Sequence, residues 1–442
     1  MRRCLTSTTI GLGLLCCLVP LAFTQTSSST KKKSTRAAPA PQITASQRAA
    51  AQHRVDRYLE ESEESPFEDA TALAPFFEQL FKQNSTPSPI HIIHFGDSHT
   101  AADSWTGGLR DLFKERFGDG GAGFSLAGRP FLGYRRFDVR GGGTTGWTSQ
   151  GLRAATGDGY FGLGGVSIAT DRALQSVYLD AECDHLEIHY LQQPGGGDLA
   201  LYDGGDRIDT ISTDGELGPG AVRHDVAPGP HRFRLVTMHS RPVRLFGWVT
   251  DKDAGLTYEA LGINGAEASV MVRWNENMLA TYLQRRSPAL IVLAYGTNEA
   301  SDPNWDSEKY QAMFAELLQR LHRAAPGAAL LALGPDDRWW KIRNGWRPVP
   351  GIDSVIQAQR TACHANACAY WDTRRRMGGK GSIPDWILAG LAQPDHVHFT
   401  GPGYHRLASV LFQDIMRQYE AFKKTRQEMT NQVHHGQSKQ DR

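Results

Sequence analysis

The chain has little charge imbalance, few cysteines and only a short apolar run, and each of these shortages excludes a class of protein. Lys and Arg total 48 and Asp and Glu total 47, so the net charge is +1. A general nucleic-acid binder carries a basic excess, so we expect no nucleic-acid partner. Of the 442 residues, 40% are hydrophobic and 21% are charged, which is enough to bury a core and excludes a chain that is disordered overall.

The apolar run over residues 10–23 is 14 residues long, whereas a membrane-spanning helix needs about 20. Because a short basic start precedes it, the pattern predicts a signal peptide over 1–24, followed by a flexible linker over 25–44. We therefore expect an exported protein, in the periplasm or secreted, with membrane contact only if the signal stays uncleaved as an anchor. A lipoprotein site at Cys16 or Cys17 is another interpretation, although Leu15 stands where a small residue is expected.

Removing the signal peptide would leave Cys183, Cys363 and Cys368. An oxidising compartment permits disulfides, and the short spacing between Cys363 and Cys368 could close a local loop. The same spacing, with His364, could instead indicate a metal site. No second pair of ligands stands near it, so we favour the disulfide. Cys183 would then be a lone buried thiol.

Two stretches of the chain alternate apolar strands with amphipathic helices, over 45–124 and over 256–425. This order predicts an α/β fold with a parallel sheet and helices on both faces. The strand at 89–96 is apolar and bounded by Pro and Gly, and a helix ending at Gly118 follows it. Residues 426–442 are polar, and we expect a disordered tail. No internal repeat is present.

Residues 125–255 have a different pattern. Short segments alternate apolar and polar residues, and Gly, Pro and Asp interrupt them every 8–12 residues. This is typical of an antiparallel β-sandwich. Because α/β sequence stands on both sides, we interpret this region as an inserted domain rather than a terminal one.

The polar residues that could carry chemistry follow predicted strands, where the functional groups of open parallel sheets gather. Ser98 stands at a strand-to-helix turn, and a serine nucleophile needs a base and donors for an oxyanion. His398 is a candidate base, and Asp395, three residues earlier, could fix its tautomer. Gly262 could bring its backbone N–H close to a ligand, and Asn298 offers an amide donor. Each pattern alone is also explained by an ordinary turn; their order in α/β sequence favours a site.

With these residues in place, the chain resembles the SGNH (GDSL-type) hydrolase family over roughly 85–125 and 255–425. Gly96-Asp97-Ser98-His99 resembles the family's first block, Gly262 its second, Asn298 its third, and Asp395 with His398 its fifth. The resemblance implies a three-layer α/β/α sandwich with a short parallel sheet. It also implies that Ser98 is the nucleophile, that His398 and Asp395 complete the triad, and that Ser98, Gly262 and Asn298 form the oxyanion hole.

Two positions depart from the family pattern: His99 stands where many members have Leu, and Glu299 where Asp is usual. The first block, the β insertion and the export signal together are similar to bacterial peptidoglycan O-acetylesterases, which carry a carbohydrate-binding-like β domain at that place. This resemblance implies an O-acetylated glycan as the substrate, most simply peptidoglycan. No cluster of His and carboxylates has metal spacing, so we expect no metal and no cofactor.

Several other residues near these motifs could compete for a role. We expect His99 to line the site, His396 to turn away from it, and His91 and His94 to be core residues with hydrogen-bond partners. Three tryptophans near the predicted active-site segments are candidates for stacking on sugars, although a tryptophan in such a place is more often a core or rim residue: Trp105, Trp147 and Trp386.

The sequence thus predicts an exported serine esterase that removes O-acetyl groups from a carbohydrate. Three alternatives remain: an acetylesterase for another polysaccharide such as acetylated xylan, a lipase or thioesterase, and a non-catalytic wall-binding protein that kept the fold. The intact set of Ser98, Gly262, Asn298, Asp395 and His398 argues against the last. The oligomeric state and the position of the acetyl group are not predicted.

Overall fold

The structure is a computed structural model. It describes residues 43–61, 67–83, 88–152 and 157–440. The predicted signal peptide and residues 25–42 of the predicted linker lie outside these ranges. Within them the strands are, in chain order, β1 (Phe67–Glu68), β2 (Pro89–Gly96), β3 (Gly121–Leu126), β4 (Arg140–Gly143), β5 (Thr148–Gln150), β6 (Ser167–Thr170), β7 (Ser176–Gln192), β8 (Asp198–Asp203), β9 (Asp206–Ser212), β10 (Gly218–Thr237), β11 (Val243–Asp251), β12 (Gly255–Gly262), β13 (Leu290–Ala294), β14 (Ala329–Leu333), β15 (Trp339–Ile342), β16 (Gly345–Pro348) and β17 (Cys368–Trp371).

The helices of the described ranges follow the same order. The α-helices are α1 (Ala45–Glu61), α2 (Ala74–Gln83), α3 (Ser98–Ala101), α4 (Ser104–Phe117), α5 (Glu276–Arg286), α6 (Ser307–Ala324), α7 (Ile352–Ala365), α8 (Thr373–Arg376), α9 (Ile383–Leu388) and α10 (Gly401–Gln440). Short 3₁₀ helices cover Ala70–Leu73, Ala268–Arg273 and Glu299–Ser301. None of the helices in this part of the chain combines the length and the apolar character needed to cross a bilayer.

The central sheet has the strand order β1-β17-β14-β13-β2-β12. All neighbours are parallel except the two-residue strand β1, which pairs antiparallel with β17. Parallel neighbours need crossover connections, and helices supply most of them here. The carboxyl ends of β2, β12, β13 and β14 therefore meet at one edge of the sheet.

Both faces of this sheet are buried, which explains why its strands are almost continuously apolar. Successive side chains point to opposite faces, so Ile291 and Leu293 pack with helices α5, α6 and α7. Leu290 and Val292 pack on the other face with α1, α2, α4, α9 and α10. The result is the three-layer α/β/α arrangement expected from the sequence.

The β-rich region forms a single antiparallel sheet of nine strands, ordered β5-β6-β11-β7-β10-β8-β9, with β3 on β11 and β4 on β7. The predicted antiparallel β-sandwich is therefore matched only loosely, since the strands form one continuous sheet. Strands β7 and β10 are 17 and 20 residues long and pair along most of their length, with a register shift between Asp225 and Gly229. Because both strands run through the whole region, its hydrogen bonds do not divide into two sheets.

The β-rich region also shares its core with the central sheet. Phe124, Leu126 and Phe246 belong to the same buried cluster as Ile93 and Phe95 of β2. Residues 43–442 form one compact unit. The region thus contributes to the core of the central sheet, and it also has a buried cluster of its own, which includes Val177, Ile188, Leu201 and Leu235.

The C-terminal segment differs from the sequence prediction as well. Helix α10 continues through Gln440, so the expected disorder over 426–442 is wrong for the backbone of 426–440. This segment has several good helix formers, no Pro and a single Gly at position 436. A polar sequence with those features continues a helix that packing has already started.

Candidate active site

Ser98 lies at the carboxyl end of β2, at the first position of α3. The carboxylate of Asp97 caps this helix by accepting the N–H of His99 at 2.9 Å. Gly96 makes the sharp turn possible, because a Cβ there would lie 2.1 Å from Oγ1 of Thr100. Ser98 itself is half-buried, so the turn leaves its hydroxyl accessible to a ligand.

Three side chains that the sequence singled out form a hydrogen-bonded chain at this edge. Oγ of Ser98 lies 3.0 Å from Nε2 of His398, although the two residues are 300 positions apart. Nδ1 of the same ring lies 2.8 Å from Oδ2 of Asp395. Serine, histidine and aspartate in this order and spacing have the geometry of a nucleophile, its base and the group that orients the base.

The loop before α10 orients the carboxylate of Asp395. Its Oδ1 accepts the backbone N–H groups of Val397 and His398, each at 3.0 Å. Burial alone would raise the pKa of Asp395, but the hydrogen bonds from the His398 side chain and from these two N–H groups hold it below its ordinary value. Asp395 therefore stays ionised and accepts from Nδ1.

Gly262 does not occupy the position expected of an oxyanion donor. It is buried at the end of β12, and a Cβ there would lie 2.1 Å from the backbone N of Ala101. The N–H of Ile263 donates to the carbonyl of Gly96. Since successive N–H groups of a strand point in opposite directions, the N–H of Gly262 points away from β2 and Ser98. Its absence of a side chain lets β12 approach the Ser98 turn.

Gly265, which the sequence analysis passed over, is the exposed glycine of the same turn. Its φ is +72°, a conformation that favours glycine. The turn is closed by the N–H of Ala266, which donates to the carbonyl of Ile263. The carbonyl of Ala266 in turn accepts from the side chain of Asn298.

Asn298 follows β13 and connects the two neighbouring turns. Its Nδ2 donates to the carbonyl of Ala266 at 2.9 Å and to Oδ2 of Asp97 at 3.2 Å. Glu299 holds the same loop in place by accepting the N–H groups of Ala268 and Gly296. Burial raises the pKa of Glu299 to about 7.

Three other histidines that the sequence analysis considered lie beside the triad or in the core: His99, His396 and His94. The His99 ring is 5.2 Å from that of His398, and its Nδ1 lies 2.9 Å from the Tyr404 hydroxyl. His396 faces Trp346, with 4.0 Å between ring centroids. His94 is fully buried, and burial lowers its pKa to about 3.

Two of the three tryptophans considered for sugar stacking are core residues. Trp105 and Trp386 are 5% and 0% exposed, and half-buried Trp147 donates Nε1 to the carbonyl of Ser176 at 3.2 Å. Two tryptophans of the β15–β16 hairpin, Trp339 and Trp346, instead stack on His396, between Asp395 and His398. The signal of this hairpin in the sequence was the dipeptide Asn344-Gly345 between two Trp-rich segments.

Cys363 and Cys368 are both buried free thiols, with their Sγ atoms 2.9 Å apart. The structure thus brings the predicted pair together but does not contain the predicted disulfide. Cys183 is a buried free thiol as well. Across the described ranges, no three or more His, Cys, Asp or Glu side chains are grouped so that they could hold a metal ion.

Comparison with known proteins agrees with this geometry. Residues 239–406, which include Asn298, Asp395 and His398 but begin after Ser98, match the GDSL-like Lipase/Acylhydrolase family. A solved structure of a peptidoglycan O-acetylesterase in action, at 5 min, is 25% identical with a TM-score of 0.69, covering 81% of this chain and 100% of that one. Residues 239–406 thus form a GDSL-like lipase/acylhydrolase domain, and the protein is a carboxylic ester hydrolase.

Two other solved structures resemble the chain more distantly. A family two carbohydrate esterase from Cellvibrio japonicus is 11% identical with a TM-score of 0.28, covering 64% of this chain and 98% of that one. A family two carbohydrate esterase from Clostridium thermocellum in complex with cellohexaose is 12% identical with a TM-score of 0.28, covering 57% and 94%. No curated protein sequence matches this chain.

Proposed function

We propose that the protein removes O-acetyl groups from peptidoglycan through an acetyl-enzyme on Ser98. The observation that carries this proposal is the hydrogen-bonded chain from Ser98 through His398 to Asp395, with distances of 3.0 and 2.8 Å. Peptidoglycan is favoured as the substrate because the O-acetylesterase that is 25% identical aligns over its whole length.

In the first half of the reaction, Oγ of Ser98 attacks the acetyl carbonyl while Nε2 of His398 takes the hydroxyl proton. Asp395 keeps the other ring nitrogen protonated and stabilises the imidazolium that forms. The sugar alcohol then leaves with the proton from Nε2. In the second half, His398 activates a water molecule, which attacks the acetyl-enzyme and releases acetate.

The oxyanion of each tetrahedral intermediate needs donors close to Ser98. We assign this role to the backbone N–H groups of Ser98 and Gly265 and to Nδ2 of Asn298. Gly265 replaces Gly262 because it is the exposed glycine of the turn that Asn298 contacts. Both hydrogens of Asn298 have acceptors in the free enzyme, so donation to an oxyanion replaces the longer bond, the 3.2 Å one to Asp97.

Acetate release from O-acetylated peptidoglycan, measured beside acetylated xylan and esters of longer acyl chains, tests this function. We expect the largest kcat/KM for peptidoglycan among the polymers, and a loss of rate as the acyl chain grows. Preference for xylan would make the protein an esterase of another polysaccharide. Preference for long acyl chains would make it a lipase.

We also propose that the protein is exported, because the apolar run over residues 10–23 follows a basic start. N-terminal sequencing of the mature protein tests this proposal. A mature chain that begins near residue 25 supports it, and a retained Met1 in a cytoplasmic fraction contradicts it.

A further inference from the structure

The hairpin of β15 and β16, residues 339–348, is attached to the catalytic loops at its base. The Arg338 side chain donates through Nη1 to the carbonyl of Thr297, next to Asn298. The backbone N–H of Trp339 donates to the carbonyl of His396 at 3.1 Å, between Asp395 and His398. The hairpin is therefore fixed relative to the triad, although most of its residues are exposed.

This hairpin contains basic residues and no acidic residue. The segment over 338–350 has four Arg and Lys and no Asp or Glu. Lys341, Arg343 and Arg347 are exposed, and no carboxylate of the described residues forms an ion pair with them. Exposed cations that lack counter-charges attract anionic ligands, and nothing within the described protein neutralises these three.

The same hairpin presents a partly exposed indole. Trp340 is 38% exposed, and it is paired across the hairpin with Arg347. Trp346, on the other strand of the hairpin, stacks on His396 with an angle of 20° between the rings. This contact fixes the hairpin against the loop that carries Asp395 and His398. A rigid indole face offers a large contact area at low entropic cost and suits the apolar face of a sugar ring.

A second basic surface lies on the other side of Ser98. The loop over 127–140 contacts the turn after β12, where Nδ2 of Asn264 donates to the carbonyl of Leu132 at 3.1 Å. The Leu132 side chain is 99% exposed, and Arg129 and Arg135 are exposed beside it. Asp138 of this loop is neutralised, because it forms ion pairs with two buried arginines.

The strand order places these two surfaces on opposite sides of the nucleophile. Along the sheet edge the order is β14-β13-β2-β12, with the hairpin after β14, Ser98 after β2 and the 127–140 loop against the turn after β12. A polymer that passes over Ser98 from one surface to the other meets basic and apolar groups on both sides.

We propose that the hairpin over 339–348 is a subsite for an acidic glycan, in which Lys341, Arg343 and Arg347 bind carboxylates of the polymer and Trp340 stacks on a sugar ring. This inference rests on the proposed removal of acetyl groups from a carbohydrate and adds a substrate class: acetylated polymers with free carboxylates are selected over neutral ones. Peptidoglycan fits this class, because its peptide stems carry carboxylates.

The test compares three full-length variants with the wild type. The charge variant is K341Q/R343Q/R347Q, and the stacking variant is W340A. The control, K82Q/K309Q/K424Q, removes the same charge at exposed lysines on α2, α6 and α10. The substrates are O-acetylated pectin, which is acidic, acetylated xylan, which is neutral, and a small chromogenic acetyl ester.

We expect the charge variant to lose about tenfold in kcat/KM on pectin, with a weaker dependence on salt, and about twofold or less on xylan. W340A should lose about three- to tenfold on both polymers. Both variants should lose much less on the small ester, and the control should behave as the wild type on every substrate. A charge variant that keeps the wild-type ratio of pectin to xylan would overturn the inference.

A binding measurement separates this inference from the proposed function. Ser98→Ala, alone and combined with the charge variant, is titrated with polygalacturonate, which carries no ester. The hairpin subsite predicts binding by Ser98→Ala that weakens about tenfold when the three cations are removed. Equal binding by the two proteins, or no binding by Ser98→Ala, contradicts the subsite. Failure of the wild type to deacetylate any polymer contradicts only the proposed function.

Discussion

Asn298 has both hydrogens of its side-chain amide on acceptors, Ala266 and Asp97, in the free enzyme. We predict that Asn298→Ala lowers kcat by about 10²–10³ while KM changes only a few-fold, because donation to the oxyanion grows as the tetrahedral intermediate forms. Steady-state kinetics per folded molecule, with the melting temperature measured alongside, checks this. A large stability loss with near-normal kcat would mean that Asn298 only shapes its loop.

Glu299 makes the stability of the same loop dependent on pH. Burial raises its pKa from 4.5 to about 7, so the folded state holds this proton more tightly than the unfolded state does. The stabilisation is complete below pH 4.5 and is lost as the pH rises through 7, a change of about 3 kcal/mol.

Glu299→Gln removes this titration, and urea unfolding at pH 4.5 and pH 8 measures it. We expect the free energy of unfolding of the wild type, relative to the variant, to be lower at pH 8 than at pH 4.5. If wild type and variant differ in free energy of unfolding by the same amount at both pH values, Glu299 does not titrate in this range.

Local sequence predicted the members of the hydrogen-bonded triad more directly than it predicted the oxyanion donors that we propose. The spacing of three between Asp395 and His398 is enough for a carboxylate to reach Nδ1 of the same loop. The sequence alone could not separate Gly262 from Gly265, because the direction of a strand's N–H depends on its pairing register with β2, which no local pattern contains. Gly265 could have been found from its place in a turn, three residues further on.

At the level of whole elements, Arg286 of α5 joins the β-rich region to the central sheet. It is nearly buried and hydrogen bonds to Asp251 of β11 and to Glu259 of β12. Arg286→Ala should lower the free energy of unfolding by about 3–5 kcal/mol, because it leaves buried carboxylates unpaired. Urea unfolding measures this change.

The neighbouring Arg285 provides a matched control. Its side chain is 42% exposed and pairs with Glu187 at 2.8 Å. Arg285→Ala should cost about 1 kcal/mol or less. Equal losses for the two variants would mean that the buried pairing of Arg286 does not join the elements.

Deletion of residues 125–255 should leave no folded protein. The deletion removes Leu126, Phe161 and Phe246 from the cluster that covers one face of the central sheet. It also removes the carbonyls of Tyr190 and Gly220, which lie 3.0 and 2.9 Å from the buried hydroxyl of Tyr282 and share its one donor. Circular dichroism of the purified deletion protein checks this. A cooperative melt with retained esterase activity would contradict the shared core.

The α/β elements could be predicted, and the arrangement of the β-rich region could not. The strand at 89–96 is apolar apart from His91 and His94 and ends at a glycine, so its burial and its end are both visible locally. In the β-rich region, alternation and turn residues predict strands but not which strands pair. The length of β10 is hidden by the Pro and Gly residues within it, which locally indicate turns.

At the scale of the molecule, the site forms only because folding brings together residues that are far apart in the sequence. Ser98 and His398 lie 300 positions apart in the chain, and Gly265 and Asn298 lie in the turns that follow β12 and β13, the strands on either side of β2. The alternation of strands and helices along the sequence predicted the parallel sheet that brings them together. The basic surfaces on both sides of Ser98 depend on strand order and loop packing, which is why the sequence analysis missed them.

The most direct test of the account is to trap the acetyl-enzyme. Wild-type protein is mixed with a chromogenic acetyl ester, quenched in acid before the first turnover ends, digested and analysed by mass spectrometry. We predict one acetyl group on Ser98, and neither acetylation nor turnover in Ser98→Ala, whose stability should change by about 1 kcal/mol or less. An acetyl group on a different residue, or a Ser98→Ala variant that turns over at the wild-type rate, would contradict the account.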